Sequence, residues 1–458
     1  MDLIKNKTQI IENGQTQLLQ KARALALCSI EKAVDAADPK KLLHSKFVRK
    51  GTKLFVGDFC FDLEQFSNIY VIGGGKATGV MAQAIEDILG SYITSGFVNV
   101  PYGSNYKTKK IQITETNHPV PDQAGVEGTK KMMAIAKQAT EKDLIVCLIS
   151  GGGSSLMPMP HKNVTLEEKI EITSFLLKSG ATIKEINIVR KHISGFKGGW
   201  LAKTAFPATI LNLILSDVIG DSLDLVASGP TVPDNSTFLD TFGILEKYGL
   251  WTKTSAAIKN TILEGIKGNV AETPKADDKE FKNVYNVIIG NNKISSISAL
   301  ESLKQNGLNT LLLPTPIEGE ARIAGTNLAS IVLEIDNCGA ALHRPAGIVA
   351  GGETIVTVKG KGIGGRNQEI ALSAALKILD KTNYVIASIS TDGIDGPTNA
   401  AGAIVDSYTI SKAKQKGIDA NEYLEKNDSH NFFSAIDYLI ITGATGTNVN
   451  DISVIVML

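Results

Sequence analysis

From residue 17 to residue 36 the apolar residues Leu18, Leu19, Ala22, Leu25, Ala26, Ile30 and Ala33 recur at helical spacing. The pattern predicts one long amphipathic helix whose apolar stripe packs on a domain face. Beyond it, short β-branched runs alternate with helical stretches, as at 68–72, 76–89 and 96–100. That alternation predicts parallel strands joined by helices covering both faces of a sheet. Residues 144–150 and 209–215 are near-continuous apolar runs ending in small or polar residues, as expected of strands buried on both sides. Residues 253–283 are polar, most densely at ETPKADDKEFKN, and read as a helix followed by an exposed connection. Apolar runs then resume at 284–289, 310–313, 347–350, 385–390, 439–441 and 452–457, with no repeat of fixed period.

A chain of 458 residues exceeds what one core usually organises, so two domains of roughly 200 residues each are expected. The pattern places the first at 1–250, a connection at 251–283 and the second at 284–458. With 43% apolar and 21% charged residues the chain has the makings of sizeable cores, and disorder is excluded. Lys plus Arg and Asp plus Glu both total 47, so no net field draws it to nucleic acid or an anionic membrane. Cys28, Cys60, Cys147 and Cys338 form no CxxC pair, which fits a reducing cytoplasm. The opening MDLIKNKTQIIENGQTQ is too polar for a signal peptide, and no apolar run approaches the roughly 20 residues of a membrane span. The histidines show no HxxxH or HxH spacing, against a zinc or iron centre.

In such sheets ligands gather beyond the carboxyl ends of the strands, and several exits here are unusual. GGGKATG, residues 73–79, offers Gly74 and Gly75 for close approach to an anion and Lys76 as a mobile charge. Its GxGxxxG spacing nearly fits the dinucleotide fingerprint, but no acidic residue or Arg follows the next strand, and the Walker loop does not fit. SGGGSS, comprising Ser150, Gly151, Gly152, Gly153, Ser154 and Ser155, is costly in entropy unless a ligand or another backbone comes close. A serine nucleophile is the rival reading, but GxSxG is not matched. VRKHISGFKGG carries Arg190, Lys191, His192, Ser194 and Lys197, which suit a phosphate or carboxylate; a solvated surface is the alternative. Asp217 and Asp221 follow a buried strand, where Mg²⁺ ligands or a general base sit.

The later exits continue the theme. GGE, with Gly352 and Glu353, precedes GKGIGGRNQE, where Arg366 and Asn367 head an apolar helix. An Arg at a helix N-terminus points to anion binding, or to an ion pair with Glu353 or Glu369. STDGIDGPTNAAG places Asp392, Asp395 and Asn399 on a glycine-rich loop that is not an EF-hand but suits an Mg²⁺ shared with phosphates. TGATGTNVND is a further glycine- and hydroxyl-rich turn, for which a structural hairpin is an equal reading.

Together VIGGGKA, NHPVPD, LISGGGSS, VRKHISGFKGG, LSDVIGD, SGPTVPD, GGE, GKGIGGRNQE, TDGIDGPTNAAGA and TGATGTNVND, in this order over most of the chain, resemble the class II glycerate kinases (glycerate 2-kinases, the MOFRL or TtuD-like family). The resemblance implies a Rossmann-like N-terminal domain with a doubly wound parallel sheet. It also implies a second α/β domain holding the MOFRL segment at about 345–456, and an active site in the cleft between the two. It implies transfer of phosphate from ATP, with Mg²⁺, to the 2-hydroxyl of D-glycerate, and places Lys76 and Arg366 in that cleft. Trp200, where a polar or basic residue is expected, and Ala444, where Pro is expected, depart from the pattern.

On this reading Lys76, Arg366 and Asp217 are catalytic. Lys76, Lys191, Ser194, Lys197, Arg366 and Asn367 bind substrate. Gly74, Gly75, Ser150 through Ser155, Gly352 and Glu353 bind nucleotide, and Asp217, Asp221 and Asp392 share the metal and the general-base role. The partners are small molecules, with neither nucleic acid nor membrane; a homodimer is left open. The alternatives are an NAD(P)H-dependent hydroxypyruvate reductase and a non-catalytic metabolite-binding relative.

Overall fold

The computed structural model describes residues 3–338, 342–379 and 383–458. The chain forms two compact units, one running from Pro39 to Ile289 and the other joining the residues up to Asp38 with Gly290–Leu458.

The unit from Pro39 to Ile289 opens with a small antiparallel meander, β1 (Phe47–Lys50), β2 (Lys53–Val56) and β3 (Phe59–Asp62). Its main sheet holds β4 (Asn68–Gly74), β5 (Ile93–Pro101), β6 (Ile111–Thr116), β7 (Asp143–Ile149), β8 (Thr209–Leu215) and β9 (Val284–Gly290) in the order β6-β5-β4-β7-β8-β9. The pairings β6–β5, β5–β4, β4–β7 and β7–β8 are parallel. The order reverses between β4 and β7, the Rossmann arrangement, so the exits of these two strands flank the point where ligands bind in such sheets. Every residue of β7 is buried, which is why its sequence is an unbroken apolar run.

Gly73 holds β4 against β7. It sits at φ +152°, and a Cβ there would lie 2.0 Å from the Leu148 carbonyl oxygen. Gly73→Ala therefore meets both backbone strain and a backbone collision in the central strand pair. A loss of about 3 kcal/mol or more is expected in urea unfolding; a loss below about 1 kcal/mol would show that the strands can part there at little cost.

The second unit is built on the helix Gln17–Ala36 and a mixed sheet. Its strands are β10 (Asn309–Leu312), β11 (Ile317–Glu320), β12 (Ala346–Ile355), β13 (Tyr384–Ser390), β14 (Gly402–Asp406), β15 (Leu439–Ile440) and β16 (Asp451–Met457). They run in the order β10-β12-β16-β13-β14-β15, with β11 also on β12. β10 and β11 are parallel to β12, but β16 is antiparallel to both neighbours, as are β13–β14 and β14–β15. Alternation of strand and helix thus gave a parallel sheet only in the first unit.

The domain boundaries differ from those expected. Leu19, Ala22, Ala26 and Ile30 pack with Val349, Val385, Val454 and Val456, so helix Gln17–Ala36 belongs with the second sheet and not with a domain spanning 1–250. The stripe was legible, but an apolar stripe does not say which sheet it will cover. The stretch 251–283 is also no connection. Helix Ala256–Ile266 packs through Ile258 and Ile262 against Phe238 and Leu245 of the first unit. β9, expected to open the second domain, is the far edge of the first sheet, and the crossover falls at Ile289–Gly290.

Cys28, Cys60 and Cys147 are free thiols; the side chain of Cys338 lies outside the described residues. Among the described residues no helix is long and apolar enough to cross a membrane.

Candidate active site

The exits of β4 and β7 are joined by a dense set of hydrogen bonds. The Lys76 N–H donates to the Gly151 carbonyl at 2.8 Å, and the Ala77 N–H to Ser150 Oγ at 3.0 Å. The Ser150 hydroxyl also lies 3.2 Å from that of Thr78, at the start of helix Thr78–Leu89. Gly75, at φ +154°, is required because a Cβ would fall 2.1 Å from Ser150 Oγ. A Cβ on Gly152, itself left-handed at φ +81°, would lie 3.0 Å from the His118 ring and 3.3 Å from Lys76 Cγ. The two glycine-rich turns therefore meet around a half-buried Lys76, with His118 of NHPVPD beside them.

A third segment supports them. Ala227, Ser228 and Gly229 all have left-handed φ angles, of 49°, 60° and 60°. For the two non-glycine residues this conformation is costly and persists only where the surroundings enforce it. Here Ser228 Oγ lies 2.7 Å from Ser154 Oγ and donates to Asn187 Oδ1 at 3.0 Å. Ser155 Oγ donates to the Gly152 carbonyl. The SGPT turn thus orders this wall. The enforcing residue, Asn187, gave no sequence signal, because an Asn in a helix interior resembles any other polar position.

The basic segment lies beneath the site more than in it. Lys197 is completely buried and donates to the Met157 carbonyl at 3.0 Å. Lys169 donates to the carbonyls of Pro158 and Met159, and Ser194 Oγ donates to Met159 at 2.9 Å. Burial, with the charges of Lys169 and Arg190 nearby, holds the Lys197 amine well below the ordinary lysine range. Burial with the charge of Arg190 brings Lys169 down to about 7. The structure thus makes Lys197 and Ser194 braces of the 157–159 backbone, where substrate contacts were expected. Lys191, also buried, lies 3.4 Å from both Asp224 and Asp234. Asp217 and Asp221 are half-buried just beyond β8, on the same carboxyl edge of the sheet.

His192 forms a structural cluster with Glu272, its Nε2 lying 3.3 Å from the Glu272 carboxylate. Burial works to raise the Glu272 pKa, but hydrogen bonds from His192 and the Phe238 N–H, with the charge of His192, bring it down to about 2. A depressed carboxylate stabilises the fold above its unfolded value and loses that contribution as pH falls through the folded one. With the group about one third exposed, solvent screening reduces the effect to about 1–2 kcal/mol. Glu272→Gln is expected to cost that much in urea unfolding at pH 7, with the gap closing as pH falls below about 4.5 towards 2. A gap independent of pH would rule out the electrostatic account.

In the second unit Arg366 opens the helix Arg366–Lys377. It lies 2.7 Å from Glu353 through Nη1 and 2.7 Å from Asp451 through Nε, and Nη2 donates to Asp451 at 3.0 Å. Of the two readings of this Arg, the ion pair with Glu353 is present and that with Glu369 is replaced by Asp451. Burial pushes the Asp451 carboxyl up to about 7 against the pull of Arg366. The helix N-terminus itself already holds an anion: buried Asp395 accepts the N–H groups of Asn367 at 3.0 Å and Gln368 at 2.9 Å.

Asn367 is buried between Asp395 and Ser388, so it positions the helix and is not presented to substrate. Gly352 is likewise explained by packing, since a Cβ would lie 2.1 Å from the Ile317 carbonyl oxygen of β11. Asp392 accepts from Ser390 Oγ and the Ile394 N–H, closing its own loop. Ala444 is exposed on a loop. Among the described residues no cluster of three or more His, Cys, Asp or Glu is arranged to hold a metal.

Comparison with known proteins points to the same family as the motifs. A domain of unknown function, DUF4147, matches residues 25–263, and the MOFRL family matches 346–451. A glycerate 2-kinase of Pyrococcus horikoshii is 42% identical, covering 95% of this chain and 97% of its own. The chain belongs to the glycerate 2-kinase family. A D-glycerate 2-kinase of Thermotoga maritima, another relative in that family, is 45% identical over 84% of this chain and 89% of its own. The crystal structure of a glycerate kinase from Thermotoga maritima superposes with a TM-score of 0.83 at 40% identity, covering 95% of this chain and 99% of that one. The glycerate 2-kinase family is one of phosphotransferases, and the two-unit α/β architecture is common to it.

Proposed function

We propose that this chain transfers the terminal phosphoryl group of ATP to the 2-hydroxyl of D-glycerate. The observation that carries this reading is the joining of the two glycine-rich turns around Lys76, held by the bonds from Lys76 N–H to Gly151 and from Ala77 N–H to Ser150. Phosphoryl transfer asks a protein for positioning and charge neutralisation more than for covalent help. Gly151, Gly152 and Gly153 let phosphate oxygens approach the backbone, and Ser154 and Ser155 add hydroxyls. Lys76 neutralises the migrating group. Arg366 takes the glycerate carboxylate on its exposed edge, in place of the half-exposed Glu353.

The carboxylates of Asp217, Asp221 and Asp392 suit Mg²⁺, which binds through one or two protein carboxylates together with substrate phosphates and would screen the phosphate charge. Asp217 is the favoured acceptor of the hydroxyl proton, since it stands two residues beyond the carboxyl end of β8, the neighbour of β7 in the sheet. A reductase reading is disfavoured by Asn99, near the end of β5. It is buried and donates to the Gly125 and Leu156 carbonyls, where a nicotinamide-dependent enzyme of this fold would place an acidic residue on the ribose.

The test is incubation with D-glycerate, ATP and Mg²⁺, following ADP and assigning the phosphoglycerate isomer by NMR. ADP with 2-phosphoglycerate is expected. Hydroxypyruvate-dependent oxidation of NAD(P)H without ADP would replace the kinase reading with the reductase.

A further inference from the structure

The unit from Pro39 to Ile289 contains a cavity of about 650 Å³ that none of the roles above uses. It is bordered by the first turns of helix Gln123–Gln138, by Trp200 at the head of helix Trp200–Ala205, and by the segment from Met159 onward. Helix Gln123–Gln138 follows β6, so its first turns lie at the carboxyl edge of the sheet, the edge that carries the glycine-rich turns. The segment at Met159 continues directly from those turns. It is fixed by the bonds from Ser194 Oγ and the Gly195 N–H to the Met159 carbonyl and by a bridge between Pro160 and Ser194. The next residues back, through Met157, pack beneath Gly74, where an added Cβ would lie 2.7 Å from Met157 Cγ, and the Met157 methyl also reaches Gly153.

The lining has a definite chemistry. Val126, Met159, Val164 and Val270 give apolar walls, and the half-buried Trp200 adds an aromatic face, with Lys203 Nζ 5.3 Å from its ring. Gln123 and Asn269 contribute amides that each donate one N–H, to Glu127 and Glu264, and keep a carbonyl oxygen as acceptor. Lys130 and Lys162 are exposed where they line it. Apolar walls, one aromatic face and a few fixed polar groups suit a flat heteroaromatic body. Amide acceptors select one that carries an exocyclic amine, and the exposed lysines tolerate an anionic extension.

We propose that this cavity seats the adenine base of the phosphoryl donor, with the triphosphate running along the 153–159 segment to the glycine-rich turns. The assignment rests on the kinase reading above. It also gives Trp200, a departure from the family pattern, a task in holding the base.

The test uses Trp200 as its own reporter. The only other tryptophan is Trp251, so adenosine is titrated into Trp251→Phe protein. Adenosine has no phosphate to reach the turns, and it is expected to change Trp200 emission saturably and to compete with ATP in the kinase assay. Trp200→Ala is expected to raise the KM for ATP about 10-fold, the loss of one base–aromatic stack, leaving kcat and the KM for glycerate within about twofold. Should that variant fold poorly, Gln123→Trp, on an exposed position, blocks the cavity and is expected to do the same. Adenosine binding without competition, or an unchanged KM for ATP in both variants, overturns the assignment while leaving the kinase reading intact. Wild-type protein that forms no ADP with glycerate overturns both.

Discussion

Lys76→Ala is expected to lower kcat/KM for glycerate phosphorylation on the order of 10³-fold, the scale seen when a group stabilising transition-state charge is removed. Only the Lys76 backbone N–H enters the bond to Gly151, so the junction between the two turns survives truncation of the side chain. Because the lysine acts on the migrating phosphoryl group, kcat should fall at least as far as the KM for ATP rises. Steady-state kinetics beside a thermal melt separates the two effects. A variant that turns over at near wild-type rate would remove Lys76 from the mechanism and leave the glycine-rich turns as a structural junction.

Arg366→Ala is expected to have an effect of the same order on kcat/KM, but written in the KM for glycerate as well as in kcat, since this Arg is assigned to the substrate carboxylate. Its stability cost is bounded by an unusual circumstance. Removing one partner of a buried ion pair usually strands a charge at a cost of about 3–5 kcal/mol. Burial already pushes the Asp451 carboxyl up to about 7 with the arginine present. Without it the carboxyl is free to take a proton at neutral pH, so a drop in Tm of only a few degrees is expected. Arg366→Lys should recover little activity, because a single ammonium cannot stay on Asp451 and offer a second, forked edge to the glycerate carboxylate as the guanidinium does. Full activity in the lysine variant would mean that a point charge suffices and that the fork geometry is incidental.

Much of this was legible in the chain before any coordinates. Glycine runs after apolar strands mark close backbone approaches, and Gly73, Gly75 and Gly152 each proved to have a neighbour where a Cβ would stand. What the glycines did not reveal is who that neighbour is. At Gly75 it is the Ser150 hydroxyl of the companion turn, whereas at Gly352 it is merely the backbone of β11. The same ambiguity affected the basic segment. Lys197 and Lys76 look alike in sequence, yet one is sealed in the interior on a backbone carbonyl and the other stands half-buried beside the turns. Asp395 was visible as a loop carboxylate, but its task as the anion at the head of helix Arg366–Lys377 depends on two loops meeting, which no local pattern encodes. The boundary at Ile289–Gly290 was hidden for a related reason, because β9 looks like any edge strand until its partner is known.

That β16 lies between β12 and β13 also sets an order of events as the chain is made. The unit from Pro39 to Ile289 is continuous and can fold as soon as it leaves the ribosome. The helix Gln17–Ala36 emerges before it, but its partners Val385, Val454 and Val456 are among the later residues synthesised. At the usual elongation rates of about 5–20 residues per second, that apolar stripe waits uncovered for tens of seconds. Only when β16 slides between its neighbours does the helix gain a complete surface. Helix Gln17–Ala36 and β16 come from opposite sides of the continuous unit in the chain, so their meeting is the long-range step on which completion of this unit waits.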